Sequence, residues 1–437
     1  MTNGLMIAAP RSGSGKTTIT LALLAAFRRQ GLAIAAAKSG PDYIDPAFHT
    51  AATGTQSLNL DSWAMPPALL DSLATAAARD ADLLIVESAM GLFDGLTAPP
   101  GQRGSPADLA AHLGLPVVLV LDVSGHSQSA AATARGFATH DPRLHVAGVI
   151  LNQVASPRHR SGIEAAMAEA GIAILGCVMR DAALALPERH LGLVQAGEHG
   201  ALPAYIDRLA NLAERSLDLA AIRAAAQPLN RATPQPIAAL PAPGHRIALA
   251  RDDAFSFIYP HLLQSWRDAG ASIHPFSPLE DEAPPRGCDA AWLPGGYPEL
   301  HAPRLAAAGT FLNGLRHFAQ TRPIHGECGG FMVLGETLET TDGTYPMAGL
   351  LGHATSFARR RLNLGYREAT LTAATSLGPA GTILRGHEFH YASTTDPGPD
   401  TAFCTLRDGL GQDLGPAGGR RGHVTGTFFH AIARISP

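Results

Sequence analysis

The sequence predicts two consecutive α/β domains, and three features point there. Apolar runs alternate with amphipathic stretches through the first half of the chain, the pattern of a parallel sheet covered by helices. The first run leads into Gly13-Ser14-Gly15-Lys16-Thr17, a phosphate-cradling turn that needs a strand before it and a helix after it. Past residue 226 comes a short Ala-rich segment holding Pro228, Pro234, Pro236, Pro241 and Pro243, and a second α/β pattern follows. We therefore read a domain over 1–226, a linker over 227–244 and a domain over 245–437. A chain of 437 residues fits two cores better than one.

Taken in order, Leu5–Ala9, Leu32–Ala36, Leu83–Glu87, Val117–Asp122, Val146–Leu151 and Ala173–Cys177 read as buried strands. Thr17–Gln30, Gln128–His140, Gly162–Ala170 and Ala204–Ala226 read as helices, the first closed by Gly31. After the linker, Arg246–Arg251, Ala290–Leu293 and Pro323–His325 read as strands, with helices over His261–Ala269 and Leu305–Gln320. From about Pro346 the pattern becomes shorter and Gly-rich, which suggests antiparallel strands.

Composition excludes several classes. An apolar fraction of 46% against 16% charged residues argues for well-buried cores and against a disordered chain. A formal charge of −4 gives no reason to expect nucleic acid or an anionic membrane as partner. No run reaches the length of a membrane span, and the first apolar run stops at Pro10 without a basic leader. Cys177, Cys288, Cys328 and Cys404 are too widely spaced for a zinc knuckle or a disulfide framework. The expectation is a cytoplasmic enzyme acting on small molecules; a homodimer is left open.

The turn Gly13-Ser14-Gly15-Lys16-Thr17-Thr18 lets successive backbone N–H groups curl around a phosphate at a helix N-terminus. Lys16 would bridge the outer phosphates of ATP, and Thr17 would ligate Mg²⁺. Pro10 stands where this pattern usually has its first glycine, and the bland alternative is a tight Gly/Ser turn. Mg²⁺ needs further oxygen ligands, and Asp45 and Glu87 lie at or beyond predicted strand ends. Lys38, Asp42, Tyr43, Asp45 and Asp94 follow strand ends that converge on one crevice and are read as the acceptor side. For Asp94 a solvated loop position competes. Asn152 either reads the adenine edge or caps a loop.

A second chemistry sits at Gly326-Glu327-Cys328-Gly329-Gly330, between a predicted strand and a helix. Such a nucleophile elbow exposes the thiol, and a following helix favours thiolate, which can attack an amide carbon and release ammonia. The competing reading is a core cysteine. Gly295 and Gly296 in Pro294-Gly295-Gly296-Tyr297-Pro298-Glu299 would supply an oxyanion hole. His430, after Phe428-Phe429, is the candidate base. Arg385-Gly386-His387-Glu388-Phe389-His390 competes, but strand alternation puts His387 and His390 on opposite faces, and we read it as pocket wall.

Six segments together carry a family resemblance: Ala8–Thr17, Lys38–Pro46 with its Gly-Pro-Asp-Tyr-Ile-Asp-Pro, Glu87–Gly95, Leu293–Glu299, Arg385–His390 and Phe428–His430. They resemble the hydrogenobyrinic acid and cobyrinic acid a,c-diamide synthases of cobalamin biosynthesis, over essentially the whole chain. The resemblance implies a dethiobiotin-synthetase-like domain binding Mg²⁺, ATP and the corrinoid, fused to a class I glutamine amidotransferase domain. It implies two successive amidations, at the c and a acetate side chains, with ammonia from L-glutamine or supplied free. It makes Cys328 the nucleophile and His430 its partner. Many class I glutaminases carry a glutamate two residues after this histidine. Here that residue is Ile432, so a Cys–His dyad is expected. The start Ala-Ala-Pro-Arg-Ser and the Phe-Phe-His ending look more like the enzymes whose substrate is cobalt-free hydrogenobyrinic acid; cobyrinic acid is the alternative. A partitioning ATPase would use the same P-loop but leave the elbow without a role.

Overall fold

In the computed structural model, which describes residues 2–181, 188–189, 192–193, 196–198, 200–230 and 239–435, seven strands form the centre of the first unit, Met1–Pro236. They are β1 (Asn3–Ala8), β2 (Ile34–Ser39), β3 (Leu58–Leu60), β4 (Leu83–Glu87), β5 (Val117–Asp122), β6 (Val146–Val154) and β7 (Ile174–Met179), in the order β3-β2-β4-β1-β5-β6-β7. Every neighbouring pair is parallel, so each connection crosses over the sheet and the strand interiors are buried. Strand β1 has β4 on one side and β5 on the other, where the strand order switches direction. The carboxyl ends of β1, β2, β4 and β5 open there on one crevice.

Helix α1 (Lys16–Arg29) follows β1 directly, and α2 (Asp45–Thr53) follows β2. Helix α2, β3 and the helices Pro67–Ala77 and Pro106–Leu113 are additional to the elements expected from the sequence. The expected single helix Ala204–Ala226 is two helices, Leu202–Ser216 and Leu219–Ala225. Leu217 between them is extended and bridges Gly176 of β7, and the Asp218 carboxylate caps the second helix by accepting from Ala221 N–H. Of the expected linker, Gln227–Pro228 pairs antiparallel with β1, and 231–238 fall outside the described residues.

The second unit, Ile237–Pro437, is built on a sheet ordered Ser272–Phe276, Arg246–Ala250, Ala290–Leu293, Ile324–Glu327, Val424–Thr427 and Gly419–Arg421. The first five strands are parallel and the last is antiparallel. The expected helix Leu305–Gln320 is broken at Ala308 into Ala302–Ala307 and Gly309–Phe318. Most strands from Thr337 onward form two further sheets, and one of these joins Asn363–Leu371, Ile383–His390 and His430–Ile435 in antiparallel pairs. These strands are longer than the parallel ones of this unit, not shorter as expected. The chain thus leaves the parallel sheet at Thr427 and enters a different sheet at His430. Among the described residues no helix is long and apolar enough to cross a membrane.

Candidate functional site

In the first unit the turn after β1 is closed by its own side chains. Ser14 Oγ donates to the Arg11 carbonyl at 3.0 Å, and Asn152 Nδ2, arriving from β6, donates to the Ser14 carbonyl at 2.9 Å. The Asn152 amide therefore braces the turn, which is the loop-capping alternative. Gly13 and Gly15 both have positive φ, so the turn needs their freedom. Thr18 hydrogen-bonds Tyr205 on helix Leu202–Ser216.

Lys38, near the end of β2, is buried between carboxylates. Its Nζ donates to Glu87 Oε1 at 2.9 Å and to Asp45 Oδ2, with Asp42 Oδ2 at 3.9 Å. Thr17 Oγ1 donates to Glu87 Oε1 at 2.7 Å and lies 3.5 Å from Asp45 Oδ2. Burial acts against the Lys38 charge, but Asp45 and Glu87 outweigh it and raise the lysine's pKa. Burial likewise opposes ionised Glu87, yet Lys38 and the His49 hydrogen bond hold it well below the usual carboxylate range. Asp45 goes the other way, raised by burial and by the adjacent Asp42. Lys16 is lowered by burial and by Lys38, against the pull of Glu87, Asp45 and Asp94.

Two of the expected acceptor-side acids also hold backbone. Asp42 Oδ1 accepts from Ile44 and Asp45 N–H at the start of α2, and Asp94 Oδ2 accepts from Gly91 N–H at 2.9 Å. Tyr43 is half-buried beside them. Beside the turn after β1 lies a cavity of about 450 Å³ bounded by Pro10, Arg11, Ser14 and Asp122, with Arg11 held to Asp122 at 2.8 Å. A second cavity of similar volume shares Thr133 and Phe137 with it. There Phe93 stacks on Phe137 at 5.3 Å and meets the His140 ring at 4.5 Å.

In the second unit Cys328 sits between the strand Ile324–Glu327 and the helix Gly329–Leu334 with φ 46° and ψ −101°, a strained conformation for a non-glycine residue. The glycines after it are needed: a Cβ on Gly330 would lie 2.0 Å from the Leu293 carbonyl oxygen. Gly295 faces the pair of interest, since a Cβ there would meet His430 Cε1 at 2.5 Å, His430 Nε2 at 3.3 Å and Cys328 Cβ at 3.3 Å. At Gly296 a Cβ would meet the Ala254 carbonyl, while its backbone N lies 3.0 Å from where a Cβ on Gly329, the residue after Cys328, would sit. The structure thus brings Cys328, His430 and Gly295 together.

The thiol itself departs from expectation. Burial first, then Glu299, pushes Cys328 well above the ordinary thiol range, with smaller contributions from Glu327 and Glu388. Only a backbone hydrogen bond from Gly329 acts the other way. The following helix has six residues, a short dipole set against that burial, so the surroundings favour the thiol over the thiolate. His387 stacks on His430 with ring centroids 5.2 Å apart, and its Nδ1 lies 3.2 Å from Tyr259 Oη. Burial, then His430, lowers the His387 pKa, and burial pushes His390 down to about 4.

Residues 246–436 match the CobB/CobQ-like glutamine amidotransferase domain, and residues 5–194 match the CobQ/CobB/MinD/ParA nucleotide binding domain. A hydrogenobyrinate a,c-diamide synthase of Mesorhizobium japonicum is 61% identical over 99% of this chain and 99% of its own length. Proteins of the same name from Agrobacterium fabrum and Rhodobacter capsulatus are 56% and 55% identical, each over 98% of both chains. The chain belongs to the hydrogenobyrinate a,c-diamide synthase family. It is accordingly an amidating ligase of cobalamin biosynthesis, with a nucleotide-binding domain that uses ATP and a glutamine amidotransferase domain.

A divalent cation fits the synthase's first site on its donor set. Lys16 and Lys38 face four carboxylates, Asp42, Asp45, Glu87 and Asp94, which leaves negative charge in excess and Asp45 driven toward its protonated form. Thr17, Asp45 and Glu87 converge as oxygen donors, and Lys38 already sits among them as a cation. No cluster of three or more His, Cys, Asp or Glu groups suited to a metal occurs among the described residues. Two carboxylates and a hydroxyl would suit a hard divalent cation such as Mg²⁺.

Sequence reasoning missed three side chains. His49 Nε2 lies 2.6 Å from Glu87 Oε2 and its Nδ1 3.3 Å from Ser57 Oγ, although no motif announces it. Glu299 and Glu327 were read only as motif letters, yet both bear on Cys328.

Proposed function

We propose that the chain converts the a and c acetate carboxylates of hydrogenobyrinic acid to amides, using ATP and ammonia drawn from L-glutamine. The observation that carries this reading is one chain holding both a P-loop acid cluster and a cysteine elbow, and its full-length relatives are named hydrogenobyrinate a,c-diamide synthase.

In the first unit a substrate carboxylate oxygen attacks the γ-phosphorus of ATP, an acyl phosphate forms and ADP leaves. Lys16 and the amides of the turn hold the phosphates, while Lys38 balances the incoming carboxylate. Thr17, Asp45 and Glu87 would hold Mg²⁺, whose charge would offset that of the phosphate oxygens. Ammonia then attacks the acyl carbon, the C–N bond forms, and phosphate departs with the bonding pair. We assign the flat conjugated corrin ring to the wall made by Phe93, Phe137 and His140. In the second unit His430 takes the Cys328 proton as sulfur attacks the glutamine amide carbon, and the Gly295 and Gly296 amides receive the oxyanion. His430 gives that proton to the departing nitrogen, the C–N bond breaks and ammonia leaves, and water then hydrolyses the thioester to glutamate and restores the Cys328 thiol. A resting thiol beside an imidazole makes proton transfer part of the attack.

Product mass, measured with hydrogenobyrinic acid and cobyrinic acid in parallel and with glutamine or ammonium as nitrogen source, tests the reading. A diamide from hydrogenobyrinic acid with either source is expected. A diamide from cobyrinic acid alone would move the substrate to the cobalt corrinoid. ATP turnover indifferent to any corrinoid would sink the proposal.

A further inference from the structure

The residue two places beyond His430 is Ile432, an apolar side chain 1% exposed in the core, so it cannot orient an imidazole. The carboxylate nearest to hand comes from elsewhere. Glu327 ends the strand Ile324–Glu327, immediately before Cys328, and is 2% exposed. Its Oε1 accepts the backbone N–H of Ala431 at 2.9 Å, and its Oε2 lies 3.7 Å from His430 Nδ1. Cε1 and Nε2 of the same ring lie 2.5 and 3.3 Å from where a Cβ on Gly295 would sit, and Cys328 Cβ lies 3.3 Å from that same point. One face of the ring rests on His387.

We infer that Glu327 is the positioning residue of the glutaminase centre, replacing the missing downstream glutamate from the nucleophile's own strand. Its bond to Ala431 fixes the start of the strand that carries His430. Its second oxygen, at ion-pair distance, favours the proton on Nδ1, leaves the Nε2 lone pair toward the thiol, and stabilises the imidazolium formed when Cys328 gives up its proton. The arrangement puts acid and nucleophile on adjacent residues, with the histidine arriving from about 100 residues away through the Glu327–Thr427 pairing. Other charged or titratable groups around the ring are His387, Glu388 and His390 on one strand, Arg367 paired to Glu388 at 2.7 Å, Tyr259, and Glu299.

The inference rests on the glutaminase reading of Cys328 and His430, and the test separates the two. Glu327→Gln keeps an oxygen for Ala431 N–H but removes the charge. Glutamine-driven kcat should fall about 10²-fold with KM for glutamine within a factor of about two. Ammonia-driven synthesis in the same preparation serves as the internal standard. The acid limb of kcat/KM for glutamine should move to lower pH, because the imidazolium loses its carboxylate, and Glu327→Asp should recover part of kcat. A glutamine-driven rate within about threefold of the unaltered chain, or an unmoved acid limb, overturns the inference. So does a loss shared equally by both nitrogen sources, which would mean a folding role. Cys328→Ala is run alongside: if it retains glutamine hydrolysis, the underlying reading has failed instead.

Discussion

Around Lys38 the first unit buries its ionisable groups in ion pairs, whereas around Cys328 in the second unit burial acts against charge on the thiol and on His387 and His390. The centre of the first cluster is buried with its groups paired: Lys38 between Asp45 and Glu87, and Glu87 between Lys38, Thr17 and His49. Such a site is ready to exchange partners when phosphate and a carboxylate arrive. The second site has a thiol raised by burial and nearby glutamates, beside imidazoles lowered by burial. A free thiolate would be open to oxidation and stray alkylation, and the buried thiol avoids both.

The largest expected effect separates the two sites outright. Cys328→Ala should abolish glutamine-driven amidation, a loss on the order of 10⁶-fold for a removed nucleophile, and leave ammonia-driven amidation close to the unaltered rate. Lys16→Ala should remove amidation with either nitrogen source, since both routes need the activated carboxylate. Steady-state product formation with each source decides it. If Cys328→Ala loses both activities equally, the division of labour is wrong.

Next in size is the reactivity of the resting thiol. Because burial and Glu299 raise Cys328, alkylation by iodoacetamide without glutamine should at pH 7 run well over tenfold slower than for a free cysteine. The rate should then climb roughly tenfold per pH unit through pH 10, where a free cysteine has levelled off near its pKa of about 8.5. A plateau at or below pH 8 would show a thiolate stabilised at rest and would erase the contrast between the sites.

His49→Gln probes the charged site more gently. The imidazole touches Glu87 and Ser57, so its loss should loosen Glu87 and lower ammonia-driven kcat by about 10–100-fold, the range typical of groups that orient a ligand. Glutamine hydrolysis should be untouched. An unchanged ammonia-driven rate would reduce His49 to a packing residue.

What was legible in the sequence follows from what is local. Strands β4, β5 and Ala290–Leu293 were read to the residue because each is an apolar run fully buried on both faces and closed by a polar or Pro residue. Strand β3 has three residues, too short to carry a period. Helix α2 begins inside Gly-Pro-Asp-Tyr-Ile-Asp-Pro, whose composition reads as turn, while Pro46 occupies a first-turn position where its missing N–H costs nothing. Among site residues, those following strand ends were visible because a parallel sheet gathers its carboxyl ends. His49 and Glu327 were not visible. One acts from a helix that was not foreseen, and the other through strand pairing across about 100 residues.

The smallest expected effect concerns the wall assigned to the corrin ring. Phe137 is half-buried on helix Ser129–Thr139, stacked on Phe93, and lines both cavities beside the P-loop turn. An aromatic contact of this kind contributes about 0.5–1.5 kcal/mol beyond its buried area, so Phe137→Ala should raise the KM for hydrogenobyrinic acid by roughly tenfold. The KM for ATP should stay within about twofold, because the phosphates are held by the turn and Lys16 and not by this wall. Glutamine hydrolysis, made from residues of the other unit, supplies the control in the same preparation. A raised KM for ATP with the corrinoid KM unmoved would assign the cavity to the nucleotide base instead. The neutral thiol and the charged cluster would then stand as described, but the acceptor would have to enter from the side of Asp42 and Tyr43.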